Sequence, residues 1–165
     1  MSKLIVLSGI PGSGKSYLCS LVKKIKKSHV YVISSDLLRS QICGDQADLS
    51  KDQIMWKMFY EFPRIYSLDP EAIVLLDATH ASVKYRTDSI GAIAPLFDET
   101  SLVMFKLEKK LVDNQNVERE HPVPQSVLDY FYKTFEDVSD KDREVFEHIY
   151  VIKSKDELAL IIDHI

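Results

Sequence analysis

The sequence predicts an α/β fold of three layers, a five-stranded parallel sheet with helices on both faces. Three observations carry that prediction. Five short apolar runs alternate with helical patterns along the chain. The runs are rich in Val, Ile, Leu and Phe with little polar alternation, as strands buried on both faces should be. The candidate functional residues sit where the runs end, and sheets of this kind bind ligands beyond the carboxyl ends of their strands.

The elements follow in order. The first run, Lys3–Ser8, leads into a glycine-rich turn and then a helix with Leu18, Leu21, Val22 and Ile25 at i, i+3, i+4, i+7. The second run is Val30–Ser34, and Ser34 or Ser35 caps a helix beginning near Asp36. Ile54, Met55, Met58, Phe59 and Phe62 then form one apolar face, with Ser50 and Gln53 as its capping box. On that helix Trp56, Phe59, Tyr60 and Phe62 read as core packing, with base stacking as the alternative. After the third run, Ala72–Asp77, Ser82 is the N-cap of a helix reaching about Pro95. The fourth run is Ser101–Leu107. Pro124 then opens a helix carrying Val127, Leu128, Phe131 and Phe135. The fifth run, His148–Lys153, precedes a second capping box, Ser154 and Glu157, and a last stripe of Leu158, Ile161, Ile162 and Ile165. Strand–helix alternation of this kind implies parallel pairing.

The 165 residues suit one domain spanning 1–165, and 45% hydrophobic with 28% charged residues is an ordinary globular balance. Cys19 and Cys43 lie in no metal-ligand or disulfide spacing and read as small apolar side chains. No stretch reaches the roughly 20 apolar residues of a membrane span, and the N-terminal run is too short for a signal peptide. A cytoplasmic location with no membrane and no obligate protein partner is therefore expected. The net charge of -4 excludes a strongly basic footprint overall, leaving a local basic groove open. Lys23, Lys24, Lys26 and Lys27 crowd the end of the first helix, where they suit its dipole and solubility.

Gly9-Ile10-Pro11-Gly12-Ser13-Gly14-Lys15-Ser16 fits the phosphate-loop pattern at every fixed position, between a strand and a helix as the pattern demands. Glycines let successive N–H groups turn inward toward phosphate oxygens, and the helix N-terminus adds its positive end. A P-loop NTPase fold binding ATP and Mg²⁺ follows. Gly12, Ser13, Gly14, Lys15, Ser16 and Tyr17 are the nucleotide-binding residues. Lys15 brings charge to the β- and γ-phosphates, and Ser16 is the metal ligand.

These and later motifs resemble the polynucleotide-kinase-like branch of P-loop kinases over nearly the whole chain. Ile33-Ser34-Ser35-Asp36-Leu37-Leu38-Arg39 looks like that family's second-strand motif. Val74 through His80, followed by Arg86, looks like its third, with His80 where the family commonly has Asn. Arg119 through Val123-Pro124 is similar to its lid, with one arginine where family lids often carry two or more. The resemblance implies a kinase domain with a lid at about 109–124. It also implies catalytic roles for Lys15, Asp36, Arg39 and Arg119, and acceptor contacts from Asp36, Arg39, Asp77, Thr79 and Arg86.

Each residue also has a reading of its own. Asp36 and Arg39, three apart, share a helix face. Asp36 can take the proton of an attacking hydroxyl, and Arg39 can grip a phosphate. The plainer alternative is a first-turn acid with a surface ion pair. Asp77, ending a strand, meets Mg²⁺ through water, orients the acceptor, or caps the next turn. Arg86 contacts substrate or forms a structural ion pair, and His80 contacts substrate or is neutral filler. Arg119, in a polar segment bounded by prolines, suits a lid closing on the γ-phosphate. Lys109 and Lys110 open that lid and read as solvated. Three functions compete. One is γ-phosphate transfer from ATP to a hydroxyl of a nucleic acid or nucleotide, with an oligonucleotide or RNA as partner. Another is the same chemistry on a small molecule or an aminoacylated RNA. The last is a non-catalytic ATP-binding module.

Overall fold

The computed structural model describes residues 1–165. Strand β1 (Lys3–Ser8) lies at the centre of a parallel sheet ordered β2-β3-β1-β4-β5. Its neighbours are β3 (Ile73–Asp77) and β4 (Glu99–Phe105), with β2 (Val30–Ser34) and β5 (His148–Ile152) at the edges. Leu7 pairs with Asp77 and Val103, so the carboxyl ends of the three inner strands lie level.

Successive side chains of a strand face opposite ways, and β1 divides accordingly. Leu4 and Val6 join one core with Ile33, Met55, Phe59, Val74, Leu76 and Met104. Ile5 and Leu7 join the other with Leu18, Val22, Leu75, Val103, Phe105 and Ile161. The first core is covered by α2 (Ser35–Cys43), α3 (Asp52–Tyr66) and α4 (Val83–Gly91), the second by α1 (Lys15–Lys26) and α8 (Lys155–Ile162). Between β4 and β5 run α5 (Lys109–Val117), α6 (Gln125–Thr134) and α7 (Asp140–Val145). The predicted three-layer α/β fold is the one observed.

Several local expectations need correction. Ser50 does not cap α3: its amide donates to Asp48 Oδ1 at 2.8 Å, and the cap position falls to Lys51. Ser34, not Ser35, caps α2, accepting from the Leu37 amide. Ser82 caps α4 as expected, but that helix stops at Gly91 and a 3₁₀ turn follows at Ala94–Leu96. Pro124 stands one position before the first residue of α6. Ser154 occupies the cap of α8 without a side-chain bond. Ile54, assigned to the apolar face of α3, is exposed.

Candidate functional site

The glycine-rich turn joins the end of β1 to α1, and two of its glycines adopt backbone that L side chains rarely take, Gly12 at φ 83° and Gly14 at φ 99°. Gly14 is also the N-cap of α1, so the first amides of a twelve-residue helix open onto the turn. Lys15 is 9% exposed and bends back, donating from Nζ to the carbonyls of Gly9 at 2.7 Å and Ile10 at 3.0 Å. Burial lowers its pKa most, Asp77 and Asp36 pull it up, and Arg119 adds to the lowering. The charge is held in reserve at the mouth of an anion nest.

Ser16 Oγ donates to Asp77 Oδ2 at 2.7 Å. The last residue of β3 therefore faces the start of α1, in contact with the predicted metal ligand, and it also lines the large cavity with Asp36 and Arg39. The chain gathers no group of three or more His, Cys, Asp or Glu that could cage a metal. One hydroxyl and one carboxylate beside a phosphate nest fit Mg²⁺, which keeps waters and leans on substrate phosphates.

Asp36, in the first turn of α2, lies between two arginines, with Arg39 Nη1 at 3.3 Å and Arg119 Nη2 at 3.8 Å. Arg39 is fixed in turn by Asp52, Nε to Oδ1 at 2.7 Å and Nη2 to Oδ2 at 3.3 Å, in the planar two-point geometry of a guanidinium on a carboxylate. A cavity of about 1200 Å³ is lined by Lys15, Ser16, Tyr17, Asp36, Arg39, Asp77, Thr79 and Arg119 at this end. A smaller one of about 300 Å³ lies behind Ser13 and Tyr17 against Ile152, Lys155 and Leu158. Thr79 also accepts the Gly9 amide on its carbonyl at 3.0 Å, tying the phosphate loop to the β3 exit.

Arg86 does not join them. It is fully buried with Asp142, Nε to Oδ1 at 2.8 Å and Nη2 to Oδ2 at 3.0 Å. Its remaining donors go to the carbonyls of His80, Ala81, Glu136 and Asp137. With every N–H used, nothing is left for an acceptor, and of its two readings the structural ion pair holds. Burial alone would raise the Asp142 pKa, but Arg86 and the Ser139 amide hold it below the usual carboxylate range. His80 is buried at φ 42° with Nδ1–H donating to the Leu7 carbonyl at 2.7 Å. Burial drops its pKa to about 4, so the ring is neutral near pH 7.

One participant has no counterpart in the sequence reading. Asn116, 5% exposed near the end of α5, makes a two-point clamp on Val123, Nδ2 to the carbonyl at 2.8 Å and the amide to Oδ1 at 3.0 Å. It closes the loop carrying Arg119, whose amide donates to the Asn116 carbonyl at 3.2 Å. A Cβ on Gly12 would lie 3.3 Å from Asn116 Cβ and 3.1 Å from the Val112 carbonyl, so α5 rests directly on the phosphate loop. An Asn seven residues before a Val-Pro is the sole sequence signal of this clamp, and no periodicity marks it.

A family model described as an AAA domain matches residues 4–138. The chain belongs to that family. This AAA-domain protein is similar in fold to Kti12 of Chaetomium thermophilum, solved with ADP-AlF3, at a TM-score of 0.71 and 16% identity over 98% of this chain and 96% of that one. A gluconokinase from Sinorhizobium meliloti matches with a TM-score of 0.63 and 20% identity over 98% and 87%. A fungal RNA kinase matches with a TM-score of 0.71 and 15% identity over 99% of this chain and 43% of that one. The AAA-domain protein thus has the P-loop kinase-like fold, and identities this low bear on fold alone. No helix is long and apolar enough to cross a membrane.

Proposed function

We propose that this protein is an ATP-dependent phosphotransferase of the polynucleotide-kinase-like kind, moving the γ-phosphate of ATP to a hydroxyl, above all the 5′-hydroxyl of a nucleic acid or nucleotide. The observation that carries the reading is the convergence of Asp36, Arg119 and the phosphate loop at one end of a cavity far larger than a triphosphate needs. Amides of residues 12–16 cradle the phosphates. Lys15 leaves the Gly9 and Ile10 carbonyls for phosphate oxygen. Ser16 and Asp77 would hold Mg²⁺, which when bound neutralises phosphate charge.

Asp36 takes the proton from the attacking hydroxyl, work usually worth about 10²–10⁴ in rate. Arg119 reaches over the transferring group, a role worth roughly 10³–10⁵ elsewhere. Arg39 holds the acceptor side. A small hydroxylated metabolite as acceptor is the second reading, favoured by the gluconokinase likeness.

The test is γ-labelled ATP offered with 5′-hydroxyl oligonucleotides and with a metabolite panel. Label on oligonucleotides is expected, lost in Lys15→Ala. In Asp36→Asn turnover falls about 10²-fold or more with ATP affinity nearly intact. Label on metabolites alone would move the assignment to the second reading. Label on nothing, with ATP still bound, would leave a non-catalytic module.

A further inference from the structure

Beyond Asp36 and Arg39 the large cavity continues as a trough between three helices, each giving one stripe of side chains. On α3 the lining residues Gln53, Trp56, Tyr60 and Arg64 recur at helical spacing, beside the buried stripe of Met55, Phe59 and Pro63. On α4 they are Tyr85 and Ser89, with Ala92 just past its end, and on α6 Val127 and Phe131. Two aromatic rings of α3 therefore face the trough while Phe59, next to them, fills the core. Core packing, expected for all four aromatics of this helix, holds for Phe59 and Phe62; Trp56 and Tyr60 both pack on the core and line the trough.

The rings are arranged as a surface. Trp56 and Tyr60 lie nearly parallel, planes at 20° and centroids 5.8 Å apart. Phe59 braces both edge-on, at 5.2 and 5.1 Å. The Arg39 guanidinium sits 5.7 Å over the Trp56 ring, joining this surface to the Asp36 end. On the opposite wall Tyr85 is 63% exposed. Lys57 and Arg64 add cations to the same lining. From Gln53 to Arg64 the wall runs about 16 Å at 1.5 Å per helical residue. That length suits several stacked nucleotides at about 3.4 Å each and exceeds what one hydroxylated metabolite fills.

Resting on the phosphotransferase reading, we propose that this trough is a stacking track for the bases of a single-stranded polynucleotide acceptor. Trp56, Tyr60 and Tyr85 are its platforms, and Lys57 and Arg64 follow the backbone. Aromatic platforms with flanking cations bind single strands without demanding a sequence, because every base has a π-face.

Trp56 is the only tryptophan, so its emission reports from inside the trough without any substitution. The full chain, without ATP, is titrated with 5′-hydroxyl tetrathymidylate, with the abasic strand of equal length, and with gluconate. Tetrathymidylate is expected to quench Trp56, and the abasic strand to bind roughly five- to hundredfold more weakly, the range of one base–aromatic stack. Tyr85→Ala, a change at an exposed side chain, is expected to weaken tetrathymidylate several-fold with the melting temperature unchanged.

Equal affinity for base-bearing and abasic strands would overturn the track, as would emission that responds only to gluconate or to nothing. The two readings fail separately. Quenching by tetrathymidylate with no phosphate transferred to any acceptor supports the track and removes the phosphotransferase. Phosphate transferred to gluconate with Trp56 unmoved by strands overturns the track and leaves the phosphotransferase standing.

Discussion

Asp36 and Arg86 are both charged residues near strand ends, and burial separates their fates. Asp36 has a half-exposed carboxylate facing two arginines across a cavity, where a charge can change partners as a reaction proceeds. Arg86 is 0% exposed, with each donor committed. Removing one partner of such a pair strands the other's charge in the core at a cost of about 3–5 kcal/mol. Arg86→Met is thus expected to lose about that much unfolding free energy in urea, as Asp142 is left uncompensated. A loss below ~1 kcal/mol would show that the four carbonyls and Asp142 relax toward solvent, as surface pairs do. The sequence left substrate contact and structural pairing level for Arg86, because its partner lies in a helix with no apolar periodicity, α7. That helix starts with a capping box of Ser139 and Asp142; the third-position acid that marks it also closes the ion pair.

At the scale of the element, the lid is a folded device. Helix α5 lies on Gly12, Asn116 grips Val123, and the six residues between them present Arg119 to Asp36. Under the proposed function, Asn116→Ala frees that span. A displacement of 1 Å at a reacting centre can cost about 10²-fold in rate. Turnover in the variant is therefore expected to fall by about that factor, with KM for ATP changing much less. Asn116→Asp, which still accepts from the Val123 amide but cannot donate to its carbonyl, should fall between. Steady-state kinetics on labelled ATP decides it, and equal loss in kcat and affinity would mean that the clamp serves folding alone. Five strands and most helices were legible because hydrophobic periodicity and glycine chemistry are local. The phosphate loop was legible for the same reason. The clamp, the hydrogen bond from Ser16 to Asp77 and the outward turn of Trp56 and Tyr60 were not. They depend on which element packs against which, and pairs such as Ser16 and Asp77 meet only once β1 and β3 are side by side.

Across the whole molecule the two ends of the sheet do different work. The carboxyl ends carry the nest and the cavity, while the opposite end is stapled. There His29 Nδ1 meets Asp69 Oδ2 at 2.8 Å, Tyr31 donates to the same oxygen at 2.9 Å, and Glu71 lies 3.4 Å from Nε2. The Asp69 hydrogen bond and charge raise the His29 pKa, and His29 followed by the Glu71 amide lowers that of Asp69. A raised histidine contributes fully below its unfolded value of about 6.5 and loses that contribution as pH climbs through the folded one. A lowered aspartate contributes above about 3.9 and loses it as pH falls through its folded value. The staple is therefore strongest between about pH 4 and 6.5. Urea midpoints of the native chain should drop more between pH 5.5 and 8.5 than those of His29→Asn, a change that respects the left-handed backbone at φ 59°. Identical drops would show that the staple carries no weight.

The sheet order has a temporal consequence as well. The central strand precedes the other four in the sequence and pairs only with segments at 73–77 and 99–104, so one edge of an apolar ribbon stays unpaired until more than half of these 165 residues have been synthesised. Such non-local closure slows folding and exposes sticky edges meanwhile. Chains cut short of β4 should emerge from the ribosome as clients of chaperones, not as smaller folded versions of this one.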